Sequence, residues 1–160
     1  MYRGLRENAM CRRRSDDMIS IEELTAEDYR ELTCLWERAG LPFRPLGRDS
    51  EENIRRQLES GHVRILGAYE SGKLVGTVML THDGRKGWIN RLAVLPEMRN
   101  RGIATRLIEE SERYFKALGF EIFCALIEHD KLESKRLFEK LGYKRESEIE
   151  YFAKRLRREA

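Results

Sequence analysis

The sequence predicts an α/β (α+β) fold built on a mixed, mostly antiparallel sheet with helices on both faces. Three observations carry that prediction. Strand-like runs follow one another between residues 63 and 95 with only turns between them, which makes a meander. Strand and helix alternate only in the second half of the chain. Each helical period is apolar on one side, so each helix must lie on a neighbour. At 160 residues the chain is one domain with room for a real core.

The elements follow in order. Residues 19–24 read as the first strand. Thr25, Ala26, Glu27 and Asp28 cap a helix that runs to Ala39, with Tyr29, Leu32 and Trp36 inward. Prolines and glycines make residues 40–47 a loop. Asp49 with Glu52 marks another cap, and a short helix runs to Ser60 with Ile54 and Leu58 inward. Residues 63–69 and 74–82, joined by Glu70-Ser71-Gly72-Lys73, form a hairpin. A second turn leads into the strand at 88–95, which Pro96 stops because proline has no N–H for a ladder. From Ile103 the period is helical: Ile103, Ala104, Leu107, Ile108, Tyr114, Phe115 and Leu118 share a face, and Gly119 ends it. Residues 121–127 are a further strand. Asp130, with Glu133 three on, caps a last helix with Leu137, Phe138 and Leu141 inward. Residues 143–147 and 149–154 read as two final strands.

Composition narrows the class of function. Hydrophobic residues make up 41% and charged residues 37%, a surplus that belongs on exposed helix faces. The net charge of +3 creates no global field to gather nucleic acid. Positive charge is clustered instead, at Arg12-Arg13-Arg14, at 99–106 and at 154–158. The 3 cysteines are odd in number, far apart and without a C-x-x-C, which points away from disulfides and a zinc site and towards a reducing cytoplasm. No apolar stretch approaches the length of a membrane span. The Arg-rich start has no apolar run, so it is not a secretory signal. Residues 1–17 read as a flexible basic extension, with Met18 an alternative start, and residues 18–160 as the folded domain.

Chemistry concentrates where the strand at 88–95 hands over to the long helix. Arg99, Arg101 and Gly102 lie in that turn. A helix start offers unpaired N–H groups and a positive dipole end, and the arginines add charge. Those are the parts of a site for an anion, a phosphate or pyrophosphate above all. Two familiar phosphate loops are excluded: no G-x-x-x-x-G-K followed by Ser or Thr occurs, and no G-x-G-x-x-G follows a strand.

The stretch Leu92-Ala93-Val94-x-Pro96-x-x-Arg99-x-x-Gly102-x-Ala104 resembles the acetyl-CoA-binding motif of the GNAT superfamily of N-acetyltransferases, whose core reads Arg or Gln, x-x-Gly-x, then Gly or Ala. Leu137-Phe138-Glu139-Lys140-Leu141-Gly142-Tyr143 resembles the same superfamily's later helix-and-strand motif, at the customary separation. The resemblance covers about residues 19–155 and is specific from 74 to 143. It implies a GNAT-type sheet in which two parallel neighbours, here 88–95 and 121–127, splay apart to hold the pantetheine arm. Acetyl-CoA would be the cosubstrate, an amine of unknown identity the acceptor, and no metal would take part. A dimer is common in the family.

Residue roles follow from the resemblance. Backbone N–H groups of Arg99, Asn100, Arg101, Gly102, Ile103 and Ala104 would grip the pyrophosphate, with the arginine side chains assisting. Gly102 and Ala104 would be small because phosphate and strand lie close. Leu92, Ala93 and Val94 would pair with pantetheine through their main chain, and an N–H near Val94 would polarise the acetyl carbonyl. Two positions depart from the family. Phe138 stands where many relatives carry the tyrosine that protonates the leaving thiolate. Lys131 stands where an asparagine often bonds the pantetheine, for which Asp130 or Ser134 could substitute. Trp88 holds the place of an early acidic base, which leaves Glu128, His129 and His82 as proton acceptors, Glu128 first. Acceptor recognition would fall on the loop at 40–48, with Arg44 and Arg48, on the region joining the last two strands, and on Trp88 and Asn90, which share a strand face. Cys34 and Cys124 read as buried small hydrophobes, which argues for direct attack over a covalent intermediate. Two rivals rank below the enzyme: a non-catalytic acyl-CoA-binding sensor and a nucleic-acid-binding domain.

Overall fold

A computed structural model describes residues 18–157. The reading of residues 1–17 as an extension, and Arg158 of the last basic cluster, lie outside the described residues. The described residues form a five-stranded sheet in the order β1 (Ser20–Leu24), β2 (Val63–Glu70), β3 (Lys73–His82), β4 (Gly87–Val94), β5 (Phe123–Ala125). The first four strands pair antiparallel in sequence order, and β5 joins β4 in parallel. The helices are α1 (Tyr29–Arg38), α2 (Glu51–Glu59), α3 (Ile103–Ala117) and α4 (Leu132–Lys140). No helix among the described residues is long and apolar enough to cross a membrane.

Strand alternation assigns the helices to faces. Thr77 points one way, where its hydroxyl accepts a buried hydrogen bond of 3.2 Å from the indole N–H of Trp36 on α1. Gly76 and Gly87 point the other way, against Ile103, Leu107 and Phe115 of α3. The sheet is therefore covered on both sides. Trp36, Leu32, Phe115, Leu107 and Ile108 are almost wholly buried, and each such side chain contributes roughly 1.5–3 kcal/mol on leaving water. The β2–β3 hairpin turns on Ser71 and Gly72, both with positive φ (49° and 77°), which matches the twist of the strands it joins.

Several expectations are corrected. Ser50, not Asp49, caps α2, its hydroxyl accepting from the Asn53 N–H; Asp49 is buried and used elsewhere. Asp130 does not cap α4; Lys131 precedes the helix and caps no N–H with its side chain. Leu118 is 45% exposed, and Ser111 takes a buried place on α3 by returning its hydroxyl to the Leu107 carbonyl at 2.6 Å. Cys34 is exposed, because the inward face of α1 is filled by Leu32, Leu35 and Trp36. The strand expected at 121–127 shortens to Phe123–Ala125. Residues 143–157 form no strand and are largely exposed; alternation in sequence makes a strand only where a neighbour offers its edge.

Candidate functional site

The site begins where β4 leaves β5. The parallel ladder runs from Gly87↔Phe123 to Ile89↔Ala125 and stops. On the other edge of β4 the register slips at the same level. Met79 faces Asn90 while Thr77 faces Ala93, so Arg91 and Leu92 together stand opposite Val78. This is a β-bulge, and Arg91 absorbs it with a left-handed φ of 49°. Beyond it, Ala93 pairs with Thr77 and the Leu95 N–H donates to the Val75 carbonyl at 3.0 Å. Alternation then turns the N–H and C=O groups of Leu92 and Val94 towards the side β5 has vacated. Apart from the Val94 carbonyl, which accepts from Arg99 at 3.3 Å, that edge has no partner among the described residues and suits an extended, amide-bearing ligand.

That edge leads into the turn before α3. Asn100 (φ 60°) and Gly102 (φ 76°) are both left-handed, which curls the chain so that successive N–H groups face one hollow. From Asn100 to Thr105 no N–H donates to an acceptor among the described residues; intrahelical bonding starts with the Arg106 N–H on the Gly102 carbonyl at 3.0 Å. Unpaired donors and the helix dipole together make an anion cradle. A Cβ on Gly102 would meet nothing within 4 Å, so no strand crowds it. The glycine is required by its backbone angle, and the open space in front of it suits a bulky anion.

The arginine side chains of the turn bond within the protein. Arg99 donates to the carbonyls of Val94 (3.3 Å) and Ala39 (3.1 Å). Arg101 pairs with Glu70 at 2.5 Å and reaches the sulfur of Met98. They tie the turn to the end of α1 and to the β2–β3 hairpin. Arg106 is exposed and has no ion-pair partner among the described residues.

The remaining sequence candidates fall into three places. Glu128 and His129 are exposed on the segment that leaves β5, with the His129 carbonyl accepting from Lys135 at 2.6 Å. Lys131 is exposed at the start of α4 and Ser134 is half-buried within it. His82 lies at the other end of β3 from the turn, its ring between His62 (5.0 Å) and Phe120 (5.3 Å), with Nδ1 buried and unpartnered among the described residues. Phe138 is 5% exposed and packs edge-on against Tyr143 at 4.9 Å. Tyr143 gives its hydroxyl to Glu112 at 3.0 Å, and burial followed by that carboxylate holds its pKa far above the ordinary tyrosine value. Its hydroxyl proton is engaged by Glu112, and the raised pKa makes it a weak acid. Burial likewise raises the Cys124 thiol, which disfavours a thiolate there.

On the α1 face, Trp88 and Asn90 lie side by side, and the Asn90 amide donates to Thr81 Oγ1 at 2.9 Å and to the Trp88 carbonyl. The loop at 40–50 is ordered around Asp49, which is 3% exposed. Its carboxylate accepts from the Arg44 N–H at 2.7 Å and lies 3.6 Å from Arg91 and 3.7 Å from Arg48. The Arg44 side chain is left exposed. Sequence reasoning missed the Asp49–Arg91 contact.

The sheet thus opens at one strand pair beside a turn whose main-chain N–H groups are unpaired among the described residues. The model of the acetyltransferase (GNAT) family matches residues 20–143, and the chain belongs to that family. An acetyltransferase of Photorhabdus laumondii subsp. laumondii, plu1384, is 36% identical over 139 residues, covering 86% of this chain and 96% of that protein. The PaiA N-acetyltransferase of Thermoplasma acidophilum, solved with coenzyme A, shares the fold with a TM-score of 0.69 at 22% identity, over 79% of this chain and 90% of its own. A ribosomal-protein-alanine N-acetyltransferase of Brucella melitensis biovar Abortus 2308 does so with a TM-score of 0.67 at 20% identity, over 87% and 100%.

Proposed function

We propose that this chain transfers an acetyl group from acetyl-CoA to an amine, by direct attack of the amine within a ternary complex. The observation that carries the reading is the parting of β4 from β5 after Ile89, continuous with the free N–H run from Asn100 to Thr105. The residues fit the cosubstrate: main-chain donors around Gly102 take the diphosphate, and the edge of β4 that β5 leaves open at Leu92 and Val94 takes the pantetheine amides. The thioester supplies an activated acetyl group. The chain supplies orientation, an N–H at Val94 for the charge that develops on the acetyl oxygen, and a place for the acceptor on the α1 side of Asn90 and Trp88. Glu128 is the first choice to take the proton from the amine, directly or through water, with His129 beside it. No acid is assigned to the leaving thiolate, which departs readily near neutral pH.

The test is free-thiol release from acetyl-CoA with a panel of primary amines: small amines, polyamines, amino acids, aminoglycosides and peptide N-termini. Acetylation of one class, abolished by Gly102→Glu, supports the reading. Tight acetyl-CoA binding without turnover on any class would make the chain a sensor, the reading to which Phe138 in place of a tyrosine lends weight.

A further inference from the structure

The bulge that opens β4 is held by a side chain that also holds the loop across from it. Arg91 sits at the extra residue with its strained φ of 49°. Its guanidinium lies over the Trp36 ring at 4.1 Å, donates to the Pro42 carbonyl at 2.9 Å and faces the Asp49 carboxylate at 3.6 Å. The side chain is only 14% exposed, and Asp49 still less. Asp49 in turn takes the Arg44 N–H, sends its own N–H to the Arg44 carbonyl and offers its carbonyl to the Tyr29 hydroxyl at 2.9 Å. One cation thus ties both ends of the loop at 42–49, and α1 beneath it, to the point where β4 parts from β5. A buried pair of this kind adds little net stability but costs heavily when one partner is removed. What it supplies is a fixed distance between two surfaces.

We infer that Arg91 is a positioning residue for the acceptor: through Asp49 and Pro42 it fixes the 40–50 loop against the opened strand and so sets where the amine stands relative to the acetyl group. The inference rests on the acetyltransferase reading for its chemistry and on the structure alone for its mechanics. Arg91 does not touch the anion cradle, so the two binding events should separate. A lysine would keep the charge towards Asp49 but lose the planar stack on Trp36 and the reach to Pro42.

The experiment compares the parent with Arg91→Lys, Arg91→Met and the double variant Arg91→Met, Asp49→Asn, in which no charge is left buried alone. Hydrogen exchange is followed across residues 40–50 and across α3, CoA affinity by calorimetry, and acceptor kinetics with the amine the parent acetylates fastest. The expected result is amide exchange on the order of tenfold faster in the loop and unchanged in α3 for the double variant. CoA affinity stays within about threefold, the acceptor KM rises several-fold more than kcat falls, and Arg91→Lys recovers part of both. Loop exchange equal to the parent's would overturn the inference. So would loosening that spreads to α3, or a loss of CoA affinity matching the loss for the acceptor. If the parent acetylates no amine, the proposed function fails while exchange and CoA affinity still decide whether Arg91 governs the loop.

Discussion

Gly102, Asn100 and Arg91 are three of the residues with left-handed backbone angles, and these three line one route from the opened strand to the start of α3. Such angles persist only where the surroundings hold them. Arg101 is one of the holders, through Glu70, and its charge is spent there. Replacing it with alanine should therefore change CoA affinity by less than about fivefold, the reach of an exposed ion pair, as read by calorimetry. A second prediction concerns tyrosines. Tyr69 is held up to about 12, by burial first and then by the charges of Glu31, Asp28 and Glu22. Tyr29 and Tyr143 are raised as well. A folded phenol that keeps its proton above the ordinary 10.0 stabilises fully below that pH, and the stability is lost as pH climbs through the folded value. Urea midpoints should fall from pH 10 upward, and Tyr69→Phe should flatten the fall.

Among the elements, β4 and α3 depend most on each other. Gly87 lets Phe115 lie flat on the strand: a Cβ there would come within 2.4 Å of the ring. Phe115 is wholly buried and stacks on Phe123 of β5, so it cannot step aside cheaply. Gly87→Ala should cost about 1–3 kcal/mol or more, seen as a lower urea midpoint, and should loosen the short parallel pair with β5. Most of these elements were legible beforehand, because a period of two or of 3.6 shows in the order of apolar and polar residues. The turn before α3 was legible as a helix start led by Gly102, on which the proposed anion site rests. The arginine roles there were not, since charge in a sequence does not reveal whether it faces a ligand or a neighbouring carbonyl. Asp49 and Arg91 were illegible too: each looks like a surface residue until the loop is laid over the bulge. Residues 143–154 alternate like strands, yet pairing depends on an edge the sequence does not display.

At the scale of the whole molecule, the sheet divides the labour. Its α3 face carries the anion cradle and the apolar packing that steadies it. Its α1 face carries the loop, Trp88 and Asn90, the side on which the proposed function puts the acceptor. The strand that belongs to both, β4, is the one that opens. A ligand bound to the folded chain alone should stabilise it by mass action, by about 2.7 kcal/mol at 100 times its Kd. For a chain of this size that is a rise in Tm of roughly 5–10 °C.

The most direct measurement is CoA affinity, by calorimetry and by the Tm rise, for a folded Gly102→Glu chain against the parent. A main-chain cradle predicts that a carboxylate set into the hollow weakens binding on the order of 100-fold through like-charge repulsion, and that the Tm rise disappears. Undiminished affinity in a chain whose circular dichroism matches the parent's would contradict it.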